Sequence, residues 1–245
     1  MAGIDGKVTI LAMDTATMVS SVAVATEERV LAELTAETRY THSETLVPNI
    51  DEVLRFADVK REEISAVAVS LGPGSFTGLR IGLAAAKAIA YALSIPLVGV
   101  PTLEVLAAAF PSPGAVVAPL IDAQKGNAYF ALYRSAENGL VCEKEVVVAS
   151  PQEIIDTIAE EKSPVTLAGD FARKLVAKGA ELPKNAALAP ITHIMPRAAL
   201  VAARAMIRLK NGEGKSPMEL EPIYVRRSEA EVLWEKRHKE TEENA

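Results

Sequence analysis

Two short stretches carry the residue types that handle phosphate and divalent cations. Asp14-Thr15-Ala16-Thr17 follows one apolar run, and Asp122-Ala123-Gln124-Lys125-Gly126 follows another. Mg²⁺ takes oxygen ligands and keeps several waters, so aspartates at two such turns could hold it through water. The first turn has no glycine, and its amides are poorly placed to wrap a phosphate. A loop that holds adenosine usually shows paired glycines. The corresponding place offers Gly169-Asp170-Phe171, where Asp170 repels phosphate and Phe171 adds bulk. Asp14, Thr15 and Asp122 therefore read as a vestigial or weak nucleotide site.

Other chemistries find less support. Glycines 72, 74 and 78 match neither a Walker A loop nor a dinucleotide fingerprint. His42, His193 and His238 are not at helical ligand spacing from one another, and one cysteine cannot complete a zinc site. His42 is expected at the surface of a helix start. Cys142 is expected as a small apolar filler in a strand. A hydrolase built on Ser75 and His42 fails on spacing: the nucleophile elbow needs a glycine two residues away on each side, and Gly74 and Gly78 flank Ser75 by one and three.

The bulk composition narrows the class. A chain of 245 residues makes one large or two small domains. Nearly half the residues are hydrophobic and only 4% aromatic, so the core must be mostly Ala, Val, Leu and Ile. A net charge of -6 and a pI near 5.3 argue against a free-standing nucleic-acid binder, so any nucleic acid is expected only indirectly, through a basic partner. A single cysteine fits a reducing compartment. No basic segment followed by an apolar run opens the chain, and no apolar stretch approaches the ~20 residues that span a bilayer. The expectation is a soluble cytoplasmic protein with no membrane contact.

The elements that must position these residues are organised around Ala66–Leu93. A buried strand (66–71) leads through Gly72-Pro73-Gly74-Ser75-Phe76-Thr77-Gly78 into a long apolar helix running to about Leu93. Gly78, Gly82, Ala86 and Ala90 lie four apart and stack along one side. Glycine costs roughly 1 kcal/mol against alanine inside a helix, so this row is expected to admit another backbone closely. Leu79, Leu83, Ile81 and Ile89 flank it, and Arg80 and Lys87 are the only charges. An earlier helix, Ser43 to about Ala57, has Leu46, Val47, Ile50, Val53 and Leu54 on one stripe.

The order of elements repeats. Strands at 7–13, 20–26 and 30–37 form a meander, followed by the helix at 43–57, the central strand and helix, a strand at 96–100 and a helix from Thr102 to about Phe110. Pro111-Ser112-Pro113-Gly114 is the best linker, after which strands at 115–121, 127–134 and 140–149, a helix from Pro151, a strand at 165–168 and a helix from about Phe171 follow. Pro119 inside a strand suggests an edge or a bulge. The expected organisation is residues 1–110 as a first half, 111–210 as a second, including a helix from Pro196 to Lys210, and 211–245 as a closing segment with a charged tail around Trp234. A duplicated βββαβα unit gives an α/β fold of two ribonuclease H-like halves, the actin/Hsp70-like (ASKHA) plan, by analogy of topology.

The run Gly72-Pro73-Gly74-Ser75-Phe76-Thr77-Gly78-Leu79-Arg80-Ile81-Gly82 before an Ala-Lys-rich helix strongly resembles the TsaB (YeaZ) family, a bacterial subunit of the machinery that makes N6-threonylcarbamoyladenosine in tRNA. Ile10–Thr17 with Ser21-Val22-Ala23-Val24, His42–Pro48 and the closing Pro222-Ile223-Tyr224-Val225-Arg226 are similar to its other motifs, with Ala16 where the family often has serine. The resemblance implies a non-catalytic dimerisation scaffold that pairs with its paralogue TsaD, recruits the ATPase TsaE, and forms homodimers when alone. It implies no cofactor of its own, the ATP and metal being used by the partners. TsaD carries a His-x-x-x-His metal motif where this chain has Thr102 and Leu106. Combined with the helix pattern, it points to Leu46, Ile50, Leu54, Leu79, Gly82, Leu83, Ala86 and Ile89 as the partner interface. The competing reading is a stand-alone actin-like ATPase or hydrolase.

Overall fold

The computed structural model describes residues 7–37, 41–137 and 139–226. The tail around Trp234 lies outside the described residues. Each half is built on a five-stranded sheet. In the first, β1 (Thr9–Asp14), β2 (Val19–Thr26) and β3 (Val30–Glu37) form the meander, and β4 (Ala66–Gly72) and β5 (Leu97–Pro101) run parallel to β1, in the order β3-β2-β1-β4-β5. In the second, β6 (Val116–Asp122), β7 (Ala128–Ala136) and β8 (Gly139–Ala149) repeat the meander, and β9 (Val165–Ala168) and β10 (Ala186–Leu188) repeat the parallel pair, in the order β10-β9-β6-β7-β8. This is the duplicated ribonuclease H-like, ASKHA-type architecture. The three-residue β10 completes the symmetry; it is too short to give a sequence signal.

The helices are α1 (His42–Ala57), α2 (Phe76–Leu93), α3 (Thr102–Ala107), α4 (Pro151–Glu160), α5 (Asp170–Ala177) and α6 (Ala198–Lys210). Ser75 caps α2 by accepting a hydrogen bond from the Gly78 amide, and Ser150 caps α4 before Pro151. On one face of the first sheet, α1 and α2 enclose a core of Leu11, Met13, Val22, Val24, Val67 and Val69 with Leu46, Ile50, Val53, Leu54 and Leu83. The opposite face is lined by alanines of β1, β2 and β4, and α6 lies flat on it through Ala198, Val201, Ala202 and Ala205. Small residues on both partners allow this close approach.

Several sequence expectations are corrected. Val47 does not belong to the buried stripe; it is exposed, because the turn of the helix carries it past the sheet. Pro119 is neither at an edge nor at a bulge. It sits in the central strand β6, in register opposite Ala168 of β9. Cys142 is exposed on the edge strand β8. Helix α6, placed with the second half by position in the chain, packs on the first sheet, whereas α3 contacts β6, β7 and β8 of the second as well as β4 and β5. Leu103, Leu106 and Ala107 of α3 share a core with Val117, Ile121, Tyr129 and Tyr133. A Glu104 carboxylate, buried between α3 and α6, accepts from Arg204 Nε at 2.7 Å and from Arg208 Nη2 at 2.7 Å. The helices therefore stitch the halves together. Finally, α2 is by length and composition apolar enough to cross a membrane, contrary to the expectation that no stretch is; a third of it is buried in the chain's own core.

Candidate functional site

Between the two halves lies a cleft of about 400 Å³. Its walls are the first turn (Ala16–Met18), the loop entering α2 (Gly74–Thr77), the second turn (Asp122–Gln124) and the closing residues Ile223, Tyr224 and Arg226. Both turns follow the first strand of a half, so the duplicated topology alone brings them face to face.

The two aspartates of the sequence analysis reach this region differently. Asp122 lines the cleft. Its Oδ1 accepts the Gln124 amide at 2.7 Å and its Oδ2 accepts Lys174 Nζ at 2.9 Å. Partial burial raises the Asp122 pKa, but the Lys174 ammonium and the Gln124 amide outweigh that and hold it below the usual carboxylate range. Asp170, at the start of α5, accepts the Asp122 amide at 3.2 Å through Oδ1 and Lys174 Nζ at 2.8 Å through Oδ2. One ammonium thus bridges two carboxylates, and the partly buried Lys174 is held above the ordinary lysine range by them, against the opposing effect of desolvation.

Asp14 is only 1% exposed and lies behind the cleft wall. Oδ1 accepts the Ala16 amide at 3.1 Å, while Oδ2 and the neighbouring Ser70 hydroxyl are buried without a partner of hydrogen-bonding geometry. Burial pushes the Asp14 carboxyl up to about 6, although Ser70, the Ala16 amide and His42 all favour its charged form. Thr15 is buried too, and its hydroxyl donates to the Gly78 carbonyl at 2.7 Å. The residues therefore do not fit a Mg²⁺ ion held between the turns: Asp122 has both oxygens engaged, and Thr15 is committed to helix packing. His42 is half-buried, with Nε2 at 2.8 Å from the Thr17 carbonyl, so it braces the first turn.

The residues assigned to a partner interface are likewise redistributed. Leu46, Ile50, Leu54, Leu79, Gly82, Leu83 and Ala86 are all buried in the chain's own core, and only Ile89 is partly accessible. The small-residue row does admit a close neighbour, but the neighbour is intramolecular: a Cβ at Gly78 would lie 2.0 Å from the Thr15 carbonyl oxygen. The face that α2 turns outward carries Arg80, Ala84, Ala88, Tyr91 and Ala92, with Val47 and Phe56 exposed on α1.

The family model described as TsaD, tRNA N6-adenosine threonylcarbamoyltransferase, matches residues 29–234. The chain is 30% identical over 240 residues to the tRNA threonylcarbamoyladenosine biosynthesis protein TsaB of Haemophilus influenzae, covering 93% of this chain and 96% of that one. It belongs to the TsaB family. The TsaB of Bacillus subtilis is 34% identical over 165 residues, which cover 66% of this chain and 70% of that one. The solved structure of YeaZ from Pseudomonas aeruginosa superposes with a TM-score of 0.77 at 28% identity, over 89% of this chain and 99% of that one.

Within this TsaB-family chain, three cleft residues escaped the sequence reading. Lys174 is four residues after Asp170, a spacing that could have signalled a helical ion pair. Tyr224 and Arg226 stood out only as part of a closing motif. The fold gives them contacts 144 and 103 residues away: Arg80 Nε donates to Tyr224 Oη at 3.0 Å, and Arg226 Nη1 donates to the Ala123 carbonyl at 2.7 Å. No local pattern could have revealed either.

Proposed function

We propose that this chain is a non-catalytic subunit of the assembly that transfers a threonylcarbamoyl group to N6 of adenosine 37 in tRNAs reading ANN codons. It pairs with TsaD, the pair receives TsaE, and in the absence of TsaD it pairs with a second copy of itself. The observation that carries the reading is its 30% identity to a TsaB across 93% of the chain.

The non-catalytic assignment is supported by what occupies the positions of TsaD's metal motif. Thr102 accepts the Gly72 amide at 3.1 Å, and Leu106 is packed in the core beneath the second sheet. Neither supplies an imidazole, and both do structural work. ATP and metal belong to the partner subunits, and this chain brings no cofactor. An actin-like ATPase or hydrolase reading is disfavoured by Lys174, whose charge is already matched by Asp122 and Asp170. The pairing surface is the outward face of α2 with the exposed part of α1, since an 18-residue apolar helix that is only one-third buried leaves apolar area for a partner to cover. With a net charge of -6, the main tRNA-binding surface falls to the partner, and the assembly works in the cytoplasm without a membrane.

The test is tRNA threonylcarbamoylation by TsaD and TsaE with ATP and the threonylcarbamoyl-adenylate donor, with and without this chain. The expected result is activity that requires the chain and none from the chain alone. Activity indifferent to the chain would overturn the proposal.

A further inference from the structure

The last helix of each half packs on the sheet of the other half, and the two exchanges are unequal. α6 has 13 residues and contacts all five strands of the first sheet. At 1.5 Å per residue it is about 20 Å long, and five strands spaced ~4.8 Å apart are about as wide. α3 has six residues, hence about 9 Å, and its buried side chains sit over Val117 and Ile121 of β6 and Tyr129 and Tyr133 of β7. The edge strand β8 lies at the margin of this cover. Its Leu140, Val146 and Val148 pack toward the α3 side and are only partly buried. Cys142, opposite Tyr133 in register and so on the same side, is exposed. A sheet face left to water carries polar residues, so an apolar row here signals a covering element.

The described residues end at this same place. Val225 packs on the cluster shared by α3 and the second sheet, and Arg226 Nη1 donates to the carbonyl of Ala123, in the turn between β6 and β7. Tyr129, near the start of β7, is opposite Val148. Arg226 therefore stands at the end of the sheet from which β8 leads back through Val148 and Val146 to Leu140. Nineteen residues follow it, 227–245, in which Val232-Leu233-Trp234 is the single run of consecutive apolar residues. Trp234 is eight residues beyond Arg226, a reach of up to about 28 Å, and Leu140 is eight residues from Val148, about 27 Å along a strand. The segment is long enough to lay its apolar run anywhere on the row.

We propose that residues 227–245 fold back along β8, with Val232, Leu233 and Trp234 covering Leu140, Val146 and Val148. The segment then does for the second sheet what α6 does for the first, with Trp234 as its anchor. Charge suits this seat: Glu145 is exposed on β8, and Lys236, Arg237 and Lys239 follow Trp234 within five residues. The seat is on the second half, away from the outward face of α2, so it does not rest on the proposed pairing with TsaD or with a second copy.

Trp234 is the single tryptophan and Cys142 the single cysteine, so the full chain itself reports the contact. Expected is tryptophan emission to the blue of that in urea, acrylamide quenching at least about threefold weaker than in urea, and no change on about tenfold dilution. Val146→Lys should raise the quenching at least about twofold while thermal unfolding stays near wild type, because the ammonium cannot lie under an apolar cover. Leu233→Asp should raise it as much. The proposal is overturned by Trp234 being as quenchable in the folded chain as in urea, or by protection that persists in folded Val146→Lys. Protection lost on dilution would overturn it in favour of a second copy, and protection lost in Ala88→Glu in favour of a seat on α2. Should Val146→Lys fail to fold, energy transfer from Trp234 to an acceptor coupled to the exposed Cys142 decides. Transfer that falls in Leu233→Asp supports the seat, and transfer indifferent to that change overturns it.

Discussion

Thr15 and Gly82 are in contact: a Cβ at position 82 would lie 2.3 Å from Thr15 Oγ1. Gly78 and Gly82 of α2 therefore seat Thr15, the residue after β1, whose hydroxyl donates to the Gly78 carbonyl. Gly82→Ala should force Thr15 out of its rotamer and cost about 1–3 kcal/mol of stability. Gly78→Ala should cost more, because the atom it meets is backbone. Urea unfolding checks both. Unchanged stability with lost pairing would return the row to a partner.

The outward and inward faces of α2 should separate folding from association. Ala88 is exposed, and a glutamate there should leave stability within about 0.5 kcal/mol while weakening pairing with TsaD or with itself at least tenfold. Leu83 is 5% exposed, and Leu83→Glu buries an unpaired charge that should destabilise the chain by about 3 kcal/mol or more. Light scattering and thermal melts distinguish the two. Pairing by Ala88→Glu at wild-type affinity would remove this face from the interface.

Asp14 should make stability depend on pH in a specific direction. Its folded pKa is about 6 against an ordinary 3.8, so the folded state holds the proton more tightly than the unfolded chain. The contribution is fully present below pH 3.8 and is lost as pH rises through 6, a difference of about 3 kcal/mol. Asp14→Asn removes the ionisation. It should raise stability relative to wild type at pH 7.5 and change it little at pH 4, as read from denaturant midpoints. An advantage that is constant with pH would contradict the buried carboxyl.

Glu104 is buried between two guanidinium groups, so its removal strands Arg204 at the α3–α6 contact and leaves Arg208 only its other partner, Glu213. Glu104→Ala should cost about 3–5 kcal/mol, and because the site is enclosed, added salt should not reproduce the loss in wild type. A loss under about 1 kcal/mol would mean the pair is effectively solvated.

Much of the fold was legible because its signals are local. β-Branched and alanine runs mark β1, β4 and β6, Pro151 marks the start of α4, and the repeated order of strands and helices exposed the duplication. The failures share one cause. Periodicity says which residues of a helix lie together, not what they face. Leu46, Ile50 and Leu83 form the stripes expected of an interface, but the chain's own sheet covers them first. Val47, read as part of the stripe, is left outside with Phe56 and Tyr91.

The sequence by itself determined the two-half plan, the family and the absence of imidazoles at positions 102 and 106, since these depend only on residue identity and order. The tertiary structure alone decided which aspartate is buried and which is bridged, that α6 returns to the first sheet, and that Arg80 packs on Phe76 and Tyr224. Those outcomes join residues up to 177 positions apart, as Ala198 and Ser21 are, and such contacts are chosen by how complementary faces pack once each element has formed.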